Sequence, residues 1–172
     1  MSKISVICNT SPIIGLMSIN RLYLLWQLFD KVYIPQAVQR ELCANSAEHL
    51  QEVEEVERCI SEGKFTVYQV QNEEIVKKLY GKLHYGELEV IVGAKECNFP
   101  LAIIDERAAR KMASDFLIDT IGILGILELA KKQGFIDYIK ADIDLLRSSG
   151  YRISDALYIQ ILTRNSEYDS DF

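Results

Sequence analysis

The sequence predicts an α/β fold, a parallel sheet covered by helices on both faces. Short β-branched runs alternate with longer segments whose apolar residues recur at helical spacing, the pattern of parallel strands joined through helices. A length of 172 residues, 49% hydrophobic and 26% charged, is enough for one substantial core and too little for two. With 3 prolines and 9 glycines the composition excludes a disordered chain and a fibrous repeat.

The first apolar run, residues 4–8, is short and β-branched and stops at Asn9-Thr10-Ser11-Pro12. Proline in a first turn then opens a helix through Ile13, Leu16, Met17 and Ile19. A second helix through Leu22, Leu25 and Leu28 leads to the strand Val32-Tyr33-Ile34, which Pro35 ends, and Ala37, Val38 and Leu42 return to helical spacing. Residues 48–62 read as an amphipathic helix with Leu50, Val53, Val56 and Ile60 on one face, closed by Gly63. Residues 65–70 alternate like a strand and 72–80 like a helix; 81–86 break the pattern before a longer helix over 87–97. The most strand-like run, Leu101-Ala102-Ile103-Ile104, ends on Asp105. After it come a helix over 106–116, an extended piece over 117–120, an apolar helix over 122–133 closed by Gly134, a helix over 141–147, and a last helix capped by Ser154 or Asp155. The domain expectation is a main unit over 1–138 with a helical extension over 139–172 packed on it. The polar, acidic tail is expected to fray from about residue 165.

Nineteen Lys+Arg against 25 Asp+Glu leave a formal net charge of −6, which argues against a basic surface that wraps nucleic acid non-specifically and leaves room for a local basic patch. Cys8, Cys43, Cys59 and Cys97 form no C-x-x-C pair and only 2 histidines are present, so zinc and disulfide scaffolds are not expected. Neither a glycine-rich dinucleotide fingerprint nor a P-loop occurs. The N-terminus shows no signal-peptide pattern, and no stretch reaches the roughly 18 apolar residues of a membrane span. A cytoplasmic protein is expected.

In a parallel sheet the chemistry collects where strands deliver their C-terminal ends. Asn9, Glu41, Glu87 and Asp105 stand at two strand ends, late in a helix and at a helix start. Each has a structural explanation: Asn9, Thr10 and Ser11 lie where a cap belongs, Glu87 suits the positive end of its helix, and Asp105 could cap the helix that follows. Glu41 fits least, because a carboxylate late in a helix faces the negative end of the dipole. Gathered on one edge, such carboxylates repel unless cations neutralise them, and oxygen-only ligands suit Mg²⁺ or Mn²⁺. Arg107, Arg110 and Lys111 follow Asp105 and could meet a phosphate, or simply be solvated beside Glu106. Lysines 131 and 132 already suit the end of a helix, His84 and Tyr85 could stack on a base or face solvent, and Cys8 reads as a small buried strand residue.

The ordered set Cys8-Asn9-Thr10-Ser11-Pro12-Ile13-Ile14, Val32-Tyr33-Ile34-Pro35 with Val38-Gln39-Arg40-Glu41-Leu42, Tyr85-Gly86-Glu87-Leu88-Glu89 and residues 103–110 (IIDERAAR) resembles the PIN domain. Residues 120–125 (TIGILG), Leu129-Ala130-Lys131, and Leu146-Arg147 with Gly150-Tyr151-Arg152-Ile153-Ser154 resemble more narrowly its prokaryotic DUF3368 subgroup, and the resemblance runs over residues 4–162. It implies a three-layer α/β/α domain with a mainly parallel central sheet and an acidic pocket that binds Mg²⁺ or Mn²⁺ to cleave RNA. It also implies a toxin-like component of a toxin–antitoxin pair, a small antitoxin protein as partner, and a homodimer. By position, Asn9 falls on the family's first aspartate, Glu41 on its helical glutamate, Glu87 on the third acidic position and Asp105 on the fourth. Glu106 and Asp119 are auxiliary candidates, and Thr10 or Ser11 supplies a supporting hydroxyl.

The departure is Asn9, whose amide oxygen approaches a cation without bringing charge and so leaves a two-metal site under-neutralised. A single metal through Glu87, Asp105 and water remains compatible with hydrolysis. The alternative is a PIN-fold module that has lost cleavage through Asn9 and binds RNA or protein. A receiver-like phosphoacceptor domain fits least, since Glu41 is helix-borne and no clear strand-end lysine is present.

Overall fold

The computed structural model describes residues 3–44 and 50–168. Five strands, β1 (Val6–Cys8), β2 (Val32–Pro35), β3 (Phe65–Tyr68), β4 (Leu101–Ile103) and β5 (Asp119–Ile121), form one sheet in the order β3-β2-β1-β4-β5. Every neighbouring pair is parallel, with Ile7 opposite Tyr33 on one side and Ala102 on the other. The chain therefore steps from β1 toward β2 and β3 in one direction, then returns past β1 to β4 and β5. This reversal places a topological switch between β1 and β4.

Helices α1 (Thr10–Ser18), α2 (Leu24–Leu28), α3 (Gln36–Cys43) and α4 (Leu50–Ser61) connect the first three strands, so right-handed crossovers put them on one face. Helices α5 (Glu73–Leu79), α6 (Tyr85–Glu96) and α7 (Arg107–Asp115) cross in the other direction and cover the opposite face. Helix α8 (Ile123–Lys132) returns to pack on α1 and α2, followed by α9 (Lys140–Ser148) and α10 (Asp155–Arg164). Because strands buried on both faces need continuous apolar runs, Val6, Ile7, Cys8, Ala102 and Ile103 are all fully buried. The same core includes Ile139, Ile143, Leu146, Ile161 and Leu162 from the last helices.

Where sequence and structure differ, local hydrogen bonding gives the reason. The helix expected from residue 87 begins at Tyr85, and His84 N–H donates to Glu87 Oε2 at 2.9 Å, which places Glu87 inside the first turn. The extended piece expected over 117–120 moves to Asp119–Ile121, because Leu117 closes α7 in the left-handed region at φ 58° while Ile118 N–H returns to Ala113 O at 3.0 Å. The strand expected over 65–70 ends at Tyr68. The start expected at 48 for α4 lies outside the described residues.

Through Glu167 the tail is held rather than frayed. Glu167 accepts hydrogen bonds from Lys131 Nζ at 2.6 Å, from Ile139 N–H at 2.9 Å and from Lys140 N–H at 2.7 Å. Burial pushes its carboxyl up, but these donors win and hold it below the usual carboxylate range. Residues 169–172 lie outside the described part. No helix among the described residues is long and apolar enough to cross a membrane.

Helix α9 is locked to the α1–α2 connection by Arg21 Nε, 3.0 and 3.1 Å from the two oxygens of Asp142, a residue only 3% exposed. Asp142→Ala leaves the guanidinium without its carboxylate and is expected to lower stability in urea denaturation by about 2 kcal/mol. The double variant Arg21→Leu/Asp142→Ala is expected to recover part of that loss. An unchanged denaturation midpoint in the single variant contradicts a stabilising role for the pair.

Candidate functional site

At the switch between β1 and β4, both strands end against polar residues. Asn9 follows β1, continues the ladder with its N–H on Ile103 O at 3.0 Å, and is 3% exposed. It stands at the N-cap of α1, yet its side chain makes no capping bond; its Nδ2 donates instead to Glu106 Oε2 at 3.2 Å. Ser11 Oγ donates to Glu106 Oε1, and Thr10 Oγ1 donates to Glu41 Oε2. The Asn9-Thr10-Ser11 turn thus holds two carboxylates, one from α3 and one from the start of α7.

Asn9, Thr10, Ser11, Glu41, Glu87 and Glu106 line one cleft of about 450 Å³, with Tyr80, His84 and Tyr85 at its mouth. Gly86 lets Glu41 come close, since a Cβ there would lie 2.6 Å from Glu41 Oε1 and 2.8 Å from Oε2. Glycine leaves room for the helix-borne carboxylate to lean against the first turn of α6, where the dipole is positive; a side chain there would push the flexible Glu41 tip aside.

Asp105 does not face this cleft. Its Oδ1 accepts Ile123 N–H at 2.8 Å and its Oδ2 accepts the Tyr151 hydroxyl, so it caps α8 rather than the helix that follows it. It lines a second cleft of about 320 Å³ that includes Arg110, Thr120, Tyr151 and Arg152. Of the expected residues, Glu41 and Glu87 line the first cleft together with Glu106, expected as an auxiliary, while Asp105 lines the second. Successive residues leaving a strand point to opposite sides, so Asp105 and Glu106 diverge. Asp119 begins β5 opposite Leu101, exposed, at the N-terminal edge of the sheet and away from both clefts.

The three cations of α7 divide. Arg107 lines a shallow extension of the acidic cleft together with Lys82, His84, Glu87 and Glu106. Arg110 turns to Asp105's cleft and donates through Nε to Thr120 Oγ1 at 3.2 Å, so it does not share a cleft with Arg107. Lys111 is exposed. Lys131 serves the tail, and Cys8 is fully buried, its thiol pushed well up by burial and by Asp105 and Glu106. Tyr151 is the participant that the sequence did not reveal. Its phenol is pushed up by burial and by the Asp105 and Glu106 charges.

The electrostatics show a surplus of negative charge. Burial raises the Glu87 carboxyl, and Glu106 and Glu41 add repulsion against the lowering bond from His84 N–H. Burial and Glu106 likewise raise Asp105, outweighing its bonds from Tyr151 and Ile123 and the nearby Arg110. Among the described residues, no group of three or more His, Cys, Asp or Glu side chains is arranged to hold a metal ion. The donor chemistry nonetheless fits a hard cation, because carboxylates, hydroxyls and an amide gather around one cleft, where burial first and the neighbouring Glu106 and Glu41 charges second raise the Glu87 carboxyl.

The profile of the DUF3368 family, described as PIN domain, matches residues 5–167. The chain belongs to the PIN domain family. Its five-stranded, all-parallel sheet flanked by helices is the architecture that membership implies. PIN domains are in general nucleases that use divalent metals, so membership supports a nuclease module and a hydrolase reading, with nucleic acid as the substrate class. No curated protein matches the chain.

Raised carboxyl groups have a definite stability sign in the metal-free PIN domain. The folded protein holds more protons than the unfolded chain between the two titration points, so each group's contribution is complete below the unfolded value and falls as pH climbs through the folded one. Glu106→Gln removes a repelling charge from both Glu87 and Asp105. Both carboxyl groups are then expected to titrate at lower pH by carbon-detected NMR, with less stability lost over that range. Unshifted titration curves contradict the placement of Glu106 in their field.

Proposed function

We propose that the protein is a metal-dependent endoribonuclease of the PIN type, the toxin-like component of a toxin–antitoxin pair. The observation that carries this reading is the cleft at the β1–β4 switch, where Glu41, Glu87 and Glu106 meet Asn9, Thr10 and Ser11. On this reading Glu41, Glu87 and Glu106 hold Mg²⁺ or Mn²⁺, with the Asn9 oxygen as a neutral donor. When bound, the ion supplies charge neutralisation and a more acidic water.

The chain's own residues supply the rest. Thr10 and Ser11 orient the Glu41 and Glu106 carboxylates, and Glu87 stays in place through the His84 N–H. Arg107 and Lys82 line the adjoining extension and draw in the phosphate backbone. Asp105 supports from behind by fixing Tyr151 and the first turn of α8. A small antitoxin would neutralise the acidic cleft with a basic side chain. Exposed Leu117, Tyr138 and Leu145 offer apolar area that a homodimer would cover.

One observation favours the second reading, a PIN fold that binds RNA without cutting it. Asn9 Nδ2 already donates to Glu106 Oε2 and thereby takes over part of what a cation would do there. Cleavage of a structured RNA with Mn²⁺, Mg²⁺ or EDTA decides between them. The native chain is expected to cut only with metal, Glu87→Gln and Glu106→Gln to lose about 100-fold or more, and Asn9→Asp to cut faster. Silence from the native chain with activity in Asn9→Asp supports the second reading, and metal-independent cutting contradicts both.

A further inference from the structure

Beside the acidic cleft, past the ends of β2 and β3, lies a smaller cavity of about 240 Å³ lined by Gln36, Arg40, Gln69, Val70, Val76 and Tyr85. We propose that it is a nucleobase subsite, which takes one base of a single-stranded RNA whose backbone runs through the acidic cleft. The proposal rests on the nuclease reading above and adds to it the residues that select the base.

Tyr85 belongs to both spaces, lining the acidic cleft and the small cavity. Its ring stacks on Tyr80 with centroids 4.4 Å apart and planes at 26°, and the two are 42% and 57% exposed. Such a paired aromatic surface between two grooves is a platform for unstacked bases. The floor is apolar, from Val70 and Val76, which are 6% and 4% exposed.

The polar edges suit a base. Among the described residues, the side-chain amides of Gln36 and Gln69 have no hydrogen-bond partner, and each offers a donor and an acceptor to a base edge. The cavity is smaller than the roughly 300 Å³ at which drug-sized pockets begin, so it suits one planar ring. At its rim, Arg40 is 3.7 Å from Glu89 and Lys77 is 3.4 Å from Glu73, with the cations 67% and 66% exposed. The Lys77–Glu73 pair is exposed on both sides and weak, and Arg40 lies long from a largely buried Glu89, so both exposed cations can turn to phosphate. A docked protein would ask for a broader apolar face than Val70 and Val76 provide.

The test is fluorescence anisotropy of the full chain with four labelled, cleavage-resistant phosphorothioate tetranucleotide RNAs that differ at one position, with Mg²⁺ present so that the acidic cleft is neutralised. The native chain is expected to prefer one base by about fivefold or more. Gln36→Leu and Gln69→Leu are expected to erase that preference, and Tyr85→Ala to weaken all four RNAs by about tenfold. Equal affinity for the four RNAs, or a preference kept in both glutamine variants, overturns the proposal. The outcomes separate cleanly from those of the cleavage assay. Metal-dependent cutting without base preference removes the subsite alone, whereas base preference without cutting removes the nuclease reading and leaves the subsite.

Discussion

Mutual repulsion among carboxylates is the constraint on which the rest of this structure depends. Where β1 and β4 end side by side, Glu41, Glu87 and Glu106 are brought around one cleft, and the Glu87 carboxyl is raised there by burial and, after it, by the charges of Glu106 and Glu41. A fold selected for stability alone would not gather them, because like charges in a part-buried site destabilise each other and favour protonation. Neutral donors hold the arrangement together in the metal-free chain. Thr10, Ser11, the Asn9 amide and the His84 N–H each satisfy one carboxylate oxygen without supplying a full positive charge.

The fold serves this gathering through its topology rather than through any one strong contact. Stepping outward from β1 in both directions creates a crevice with a turn on each lip, and the turns carry Asn9 and Glu106. Two helix starts stand at the crevice, where Gly86 gives Glu41 its close approach and Ile123 N–H donates to Asp105. The last helices extend the same core, with Arg21 and Asp142 joining them to the first crossover and Tyr151 reaching Asp105. Sequence-distant parts therefore meet at one place, and the two neighbouring carboxylates Asp105 and Glu106 are assigned to different clefts.

Much of this was legible in the sequence because the signals were local. Pro12 and Pro35, the caps, and the β-branched runs mark the elements within a residue or two, and the positions of Asn9, Glu41 and Glu87 follow from them. What escaped was direction. Side chains alternate past a strand end, and that alternation is the signal for Asp105 and Glu106 lining different clefts. Asp119 begins its strand, so the fold sets it at the opposite edge of the sheet from Glu106. Tyr151 lies 46 residues from Asp105, and no spacing rule connects them before the fold is known.

The central claim, that Glu106 and its neighbours form a cation site and Asp119 does not, is tested most directly by calorimetric titration of Mn²⁺ into the intact chain and into Glu106→Gln and Asp119→Asn. The account predicts binding to the native chain, affinity weaker by about 10- to 100-fold in Glu106→Gln, and affinity unchanged in Asp119→Asn. No binding to the native chain, or equal losses in the two variants, would contradict it.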